Sequence, residues 1–210
     1  MKIPQIERFN AEKIAEKIIV FSRHCVEKKG FFSIVLAGGN TPQQVYDILE
    51  QKQPNSNKWE IFFGDERDVP IGDLARNSTM VEKTMPQLIA KAAYFPILSA
   101  KDYDLLIAQK MPFDLVLLGI GEDGHTAGIF PDKTYRYLDY VQIINDAPKP
   151  PPRRISLRIE ALNLSRETWV LATGKSKQSA LKKWFDGEKL PISAIEPLEE
   201  LILFCDQDFL

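Results

Sequence analysis

The segment "GIGEDGHTAGIFPD", Gly119 to Asp132, sets the acidic pair Glu122 and Asp123 and the imidazole of His125 among four glycines. A chain reversal can use glycine and aspartate, but it has no need of a histidine between them. With a reference pKa of about 6.5, a neutral imidazole can take a proton from water near neutral pH, and a carboxylate beside it orients and charge-stabilises the ring. His125 is therefore the candidate general base, with Asp123 or Glu122 as its partner. Three further regions, the last of them in two pieces, carry groups suited to an anion. "LAGGNTPQQ" (36–44) passes through Gly38 and Gly39 into a helical pattern at Asn40 and Thr41, so backbone N–H groups at a helix start, helped by the helix dipole, can meet a phosphate. Thr41 at N-cap, Pro42 at N1 and Gln44 at N3 read as a capping box. "FFGDERDVP" (62–70) puts Asp65 and Arg67 just past a strand-like run, and Arg67 offers paired donors to phosphate. "PPRRISLRI" (151–159) and "TGKSKQ" (173–178) add Arg153, Arg154, Arg158, Lys175 and Lys177.

Each of these stretches borders an element that must hold it. Apolar residues recur at helical spacing through 10–28, opening at Asn10 and closing at Gly30, with His24 a bystander. "FFSIVL" (31–36), "WEIFF" (59–63), "FDLVLLG" (113–119), "TWVLATG" (168–174) and the terminal "LILFCD" read as strands. Helices are expected from "TPQQVYDILEQ", near 75–91, and from "KSKQSALKKWF". Near-uniform apolar strands alternating with helices predict an α/β fold with a mainly parallel sheet flanked by helices on both faces, Rossmann-like, whose ligands bind beyond the strands' carboxyl ends. Residues 145–154, "NDAPKPPPRR", form a rigid loop rather than a linker, and the chain reads as a single domain over 1–210.

Composition bounds the partners. With 27 basic against 29 acidic side chains and a net charge of −2, nothing indicates nucleic-acid binding or attraction to anionic membranes. No run approaches the roughly 20 apolar residues of a spanning helix. Glu and Lys interrupt the apolar positions of the first twenty residues, which argues against a secretory signal and for the cytoplasm. Cys25 and Cys205 are expected to be buried thiols. Two histidines, with no CxxC, HxH or HExxH, leave no zinc ligand set, so a metal-free mechanism is expected.

In this order, the four blocks resemble the glucosamine-6-phosphate isomerase/6-phosphogluconolactonase family, and its 6-phosphogluconolactonases in particular, over nearly the whole chain. "AGGNTP" is similar to that family's SGGSTP-like loop, "DERDVP" to DER-x-VP, and "GIGEDGHTAGIFP" to its GxGxDGHTASLFP-like loop. Arg154 falls in a PPxRIT-like segment, and Gly174 and Lys177 in a G-x-x-K pattern. Departures are Ala37 and Asn40 where serines are common, Gly128 for the serine after HTA, and Arg76 for a serine before Asn77. The resemblance implies a NagB-type fold and hydrolysis of 6-phosphoglucono-1,5-lactone to 6-phosphogluconate, a step of the oxidative pentose phosphate pathway, with no metal or organic cofactor. It implies His125, Asp123 and Glu122 as catalytic groups. Gly38, Gly39, Asn40, Thr41, Asp65, Arg67, Arg154 and Lys177 would hold a sugar-phosphate lactone. The oligomeric state stays open, a monomer being compatible. An amino-sugar phosphate deaminase is the nearest rival, but "GIFPD" has no glutamate where deaminases carry an FNEP-like segment. A non-catalytic sugar-phosphate sensor is the rival of another class.

Overall fold

The computed structural model describes residues 2–206. In chain order the elements are β1 (Gln5–Arg8), α1 (Ala11–Lys29), β2 (Phe32–Leu36), α2 (Asn40–Lys52), β3 (Trp59–Phe63), β4 (Asp65–Arg67), α3 (Asn77–Thr84), α4 (Pro86–Lys91), β5 (Ala93–Tyr94) and α5 (Ala100–Ala108). They continue with β6 (Phe113–Gly119), β7 (Arg136–Tyr137), β8 (Val141–Ile144), β9 (Arg154–Leu157), α6 (Ile159–Asn163), β10 (Ser165–Ala172), α7 (Gln178–Phe185) and β11 (Glu200–Cys205).

Seven strands form one parallel sheet in the order β1-β11-β10-β6-β2-β3-β5, flanked by helices. β2 is buried at every position and β6 at all but its last, the pattern expected of strands covered on both faces. From β2 the chain moves one way to β3 and β5, then returns to β6 on the other side of β2 and moves out through β10 and β11. The direction of winding therefore reverses between β2 and β6, which pair through Ile34 with Leu115 and Val35 with Val116. At such a reversal the following loops diverge and leave a crevice at the carboxyl ends. Those two loops are the Gly38–Gly39 loop and the His125 loop.

The expected boundaries hold closely for α1, where the Asn10 side chain accepts from the Lys13 N–H and Gly30, at φ +90°, closes the helix in the left-handed region. The region near 75–91 is two helices, because Pro86 restricts Met85 and opens α4 as its first residue. Two features go beyond the sequence reading. β1 adds a parallel edge strand beside β11, and a second, four-stranded antiparallel sheet runs β4-β9-β8-β7. The capping box at Thr41 does not form. α2 begins at Asn40 with Gly39 as N-cap and no side-chain cap, while the Thr41 hydroxyl lies 2.6 Å from that of Thr173 beyond β10. A tertiary partner outcompetes the local one. Cys25 and Cys205 are buried and free, and among the described residues no helix is long and apolar enough to cross a membrane.

Candidate active site

A cavity of about 410 Å³ opens at the winding reversal, floored by the Gly38–Gly39 and 119–122 turns and walled by β4 and β9 of the small sheet. Alternation along β4 explains how a row of four charges divides its labour. Asp65 and Arg67 line the cavity, whereas Glu66 points away and is fully buried. Its carboxylate accepts from the N–H of Arg67 at 2.8 Å, of Asn77 at 2.7 Å and of Ser78 at 2.9 Å, capping α3 from a distant strand. Asp68 pairs with Arg153 at 2.9 Å.

The histidine loop is held by its own backbone. Gly121 N–H donates to the His125 carbonyl at 2.8 Å, Gly124 N–H to the Gly121 carbonyl at 3.1 Å, and the Thr126 hydroxyl reaches back to the Gly119 carbonyl at 2.8 Å. His125 Nδ1 lies 2.5 Å from Asp123 Oδ1. With the carboxylate ionised, that contact places the neutral ring's proton on Nδ1 and leaves Nε2 as the basic nitrogen. Burial raises the Asp123 carboxyl, but the imidazole charge and the hydrogen bonds from His125 outweigh it and hold the group below the usual carboxylate range. Glu122 also lines the cavity, yet no hydrogen bond joins it to the ring among the described residues. Asp123 is thus the partner that the sequence left open. Glycine at 121 is required by space: a Cβ there would fall 1.9 Å from His125 Nδ1 and 2.6 Å from Asp123 Oδ1. The imidazole also packs on Phe130, ring centroids 4.5 Å apart.

Facing these groups are four cations, Arg67, Arg154, Lys177 and Lys149. The Arg154 guanidinium is buried, donating to the carbonyls of Lys149 at 3.0 Å and Pro151 at 3.3 Å, 3.9 Å from Asp65. Burial lowers its pKa, Asp65 opposes that, and the like charge of Arg67 adds to it. An anion placed between the two guanidiniums would relieve that repulsion. Arg67 donates through Nη1 to the Ala75 carbonyl, while its buried Nε has no partner. Lys149 and Lys177 form no ion pair among the described residues.

Of the residues singled out in the sequence, Gly38, Gly39, Asp65, Arg67, Glu122, His125, Arg154 and Lys177 line this one cavity, and Asp123 reaches it through His125. Asn40 and Thr41 do not line it: Asn40 is exposed at the start of α2 and Thr41 is turned to Thr173. Nor do Arg153, Arg158 and Lys175. Arg158 bonds the carbonyls of Leu138 and Asp139 and lies over the Tyr137 ring instead. Lys149, Asn77 and Phe130 were not anticipated. Lys149 sits in the proline-rich loop, five residues before Arg154, and that spacing was its only signal. Asn77 donates from Nδ2 to the Asp65 carbonyl at 2.8 Å, and its Oδ1 lies 1.9 Å from where a Gly38 Cβ would be, so Gly38 must be glycine for the two loops to meet.

An α/β sheet with a crevice at its winding reversal, a His–Asp pair on one wall and clustered cations on the other, defines a protein that handles small phosphorylated molecules. Residues 7–203 match the family described as Glucosamine-6-phosphate isomerases/6-phosphogluconolactonase, and the chain belongs to it. The chain is 31% identical over 214 residues to 6-phosphogluconolactonase 3 of Saccharomyces cerevisiae, covering 89% of this chain and 85% of that one. It is 31% identical over 204 residues to the 6-phosphogluconolactonase of Synechocystis, covering 87% and 85%. The crystal structure of the 6-phosphogluconolactonase from Thermotoga maritima superposes with a TM-score of 0.88 at 27% identity, covering 98% of this chain and 100% of that one.

Proposed function

We propose that the chain hydrolyses 6-phospho-D-glucono-1,5-lactone to 6-phosphogluconate, with His125 as the general base. The observation that carries this reading is the His125–Asp123 pair on the wall of a cavity whose other side holds Arg67, Arg154 and Lys177. The cations and the Gly38–Gly39 turn that lines the cavity bind the phosphate, and that remote grip sets the lactone carbonyl beside the imidazole. His125 Nε2 takes a proton from water as the water oxygen attacks the carbonyl carbon. Asp123, hydrogen-bonded to Nδ1, steadies the imidazolium that results. The tetrahedral adduct then collapses, the bond from the carbonyl carbon to the ring oxygen breaks, and the imidazolium returns its proton to that oxygen. No step in this sequence calls for a metal or an organic cofactor.

Initial rates on freshly generated lactone, corrected for spontaneous opening and measured with chelator present, test the proposal. Wild type accelerates the reaction. His125→Ala keeps the fold and its phosphate affinity but loses about 10²–10⁴ in kcat. An equally active His125→Ala would refute the mechanism, and ammonia release from glucosamine 6-phosphate would turn the reading to the deaminase.

A further inference from the structure

Three tyrosines from three different parts of the chain make the same contact with the three loops of the site. The Tyr46 hydroxyl, on α2, accepts from the Ala37 N–H at 3.0 Å and donates to the Ala37 carbonyl at 2.9 Å. The Tyr103 hydroxyl, on α5, does the same to Phe63 at 2.8 and 2.9 Å. The Tyr135 hydroxyl, in the segment before β7, does it to Phe130 at 2.5 and 3.0 Å. Ala37 immediately precedes Gly38–Gly39, Phe63 precedes Gly64–Asp65, and Phe130 is the residue against which His125 packs.

Sheet geometry explains why the first two are possible. In extended backbone the N–H and C=O of one residue point to the same side, so one hydroxyl, which is both donor and acceptor, can satisfy both. β6 pairs with β2 only at Ile34 and Val35, and β5 pairs with β3 only at Glu60 and Ile61. Ala37 and Phe63 therefore lie beyond the ends of those ladders, where a buried backbone would otherwise go unpaired. Each phenol replaces the missing strand. Burial drives all three phenols up, opposed only in part by the backbone N–H groups that donate to them, so each keeps the proton it gives to the carbonyl.

We propose that Tyr46, Tyr103 and Tyr135 are positioning residues, each clamping one loop of the site by its backbone so that the anion-binding groups and the base keep their working separation. The proposal rests on the lactonase reading. A tyrosine that merely filled the core would act on stability alone. A clamp acts on the loop that it holds, and the three loops do different jobs. Tyr46 governs the glycine turn and hence the phosphate grip. Tyr103 governs the strand end that leads to Asp65 and Arg67. Tyr135 governs Phe130 and hence the imidazole.

The test is the set of Tyr→Phe variants, which keep each ring and remove one hydroxyl, assayed well below their melting temperatures. Tyr46→Phe and Tyr103→Phe are expected to raise KM for the lactone about fivefold, the worth of one hydrogen bond, with kcat within about twofold of wild type. Tyr135→Phe is expected to lower kcat about tenfold with KM nearly unchanged. Lowered melting temperatures with kcat and KM unmoved in all three would overturn the proposal. Inorganic phosphate affinity separates this failure from failure of the function. If wild type does not hydrolyse the lactone, the functional reading falls, and a Tyr46→Phe variant that binds phosphate as tightly as wild type would sink the clamp as well. Should a variant not fold, amide exchange in wild type decides: the Ala37, Phe63 and Phe130 protons exchange as slowly as core strand amides if clamped, and fast exchange refutes it.

Discussion

At the amino end of the parallel sheet, the fully buried Asp114 carboxylate of β6 is met from several sides. Its Oδ2 accepts from the Ser33 N–H at 2.8 Å and the Ser33 hydroxyl at 3.1 Å and pairs with Lys29 at 2.9 Å, while Oδ1 lies 3.7 Å from Arg166. Arg166 is in turn held by Glu199 at 2.9 Å. At the carboxyl end, Arg67 keeps a buried Nε without a partner, Arg154 faces a like charge, and Lys149 and Lys177 look into open space. Both ends place charge against the same core. One pairs its charges with one another, although Asp114 Oδ1 accepts no hydrogen bond, and the other leaves positive donors over. The first arrangement serves the fold, whereas the second holds energy that only an incoming anion can release. The thiols repeat the contrast with Asp123. Burial, with the Asp114 charge adding to it, pushes Cys25 up to about 12, which keeps the thiol protonated and inert.

If the two ends differ in this way, substitutions should separate activity from stability. The largest effect is expected from His125→Ala, with kcat down about 10²–10⁴ and a urea midpoint lowered only slightly by loss of the Asp123 contact. Asp114→Ala should do the reverse. It strands Lys29 and the Ser33 N–H and leaves Arg166 paired with Glu199 alone, costing about 3 kcal/mol in urea unfolding, while kcat and KM of the folded enzyme stay as they were. A loss of kcat there would collapse the distinction between the ends. Gly121→Ala is expected to cost about 100-fold in kcat, because the added methyl displaces the imidazole and its partner together. Lys177→Ala should raise KM about tenfold and move stability by less than about 0.5 kcal/mol, as removal of an uncommitted surface charge would.

The smallest effect concerns acid. Asp123 is held below its ordinary value in the folded state, so its contribution is fully present above the unfolded carboxyl value of about 3.9. That contribution disappears as pH falls through the lower folded value. In Asp123→Asn this part of the acid limb of the unfolding curve should flatten. An unchanged limb would mean that the His–Asp contact does not persist in solution.

The strands that build the crevice were legible because burial on both faces leaves a continuous apolar signature: β3 and β6 begin and end where their patterns do, and β2 one residue inside its own. The small antiparallel sheet was not, because β4 reads "DER" and β7 spans only Arg136–Tyr137. β4 owes its existence to β9, far along the chain, and β7 is a two-residue strand paired with β8 close by, too short to show a pattern of its own. The site divides along the same line. His125 and Asp123 are two residues apart, so the loop's own spacing announced the pair. Thr41 was misread as a cap because its real partner, Thr173, lies 132 positions away. Lys149 and Asn77 carry no local mark, since what makes them part of the site is the approach of β4 and β9 to the glycine turn.

What this sequence determines by itself is therefore local and periodic: which runs are buried strands, where α1 starts and stops, and which short loops hold a base beside its carboxylate. Those properties depend on neighbours within a few residues. The tertiary structure decided which of six candidate cations surround one cavity, which acid touches the imidazole, why Gly38 and Gly121 can carry no side chain, and that two tyrosines pair the backbone beyond the strand ends while a third holds the loop of His125. Each of those depends on distances between segments tens of residues apart. Such distances are set by the packing of the whole sheet and its helices, and no local pattern encodes them.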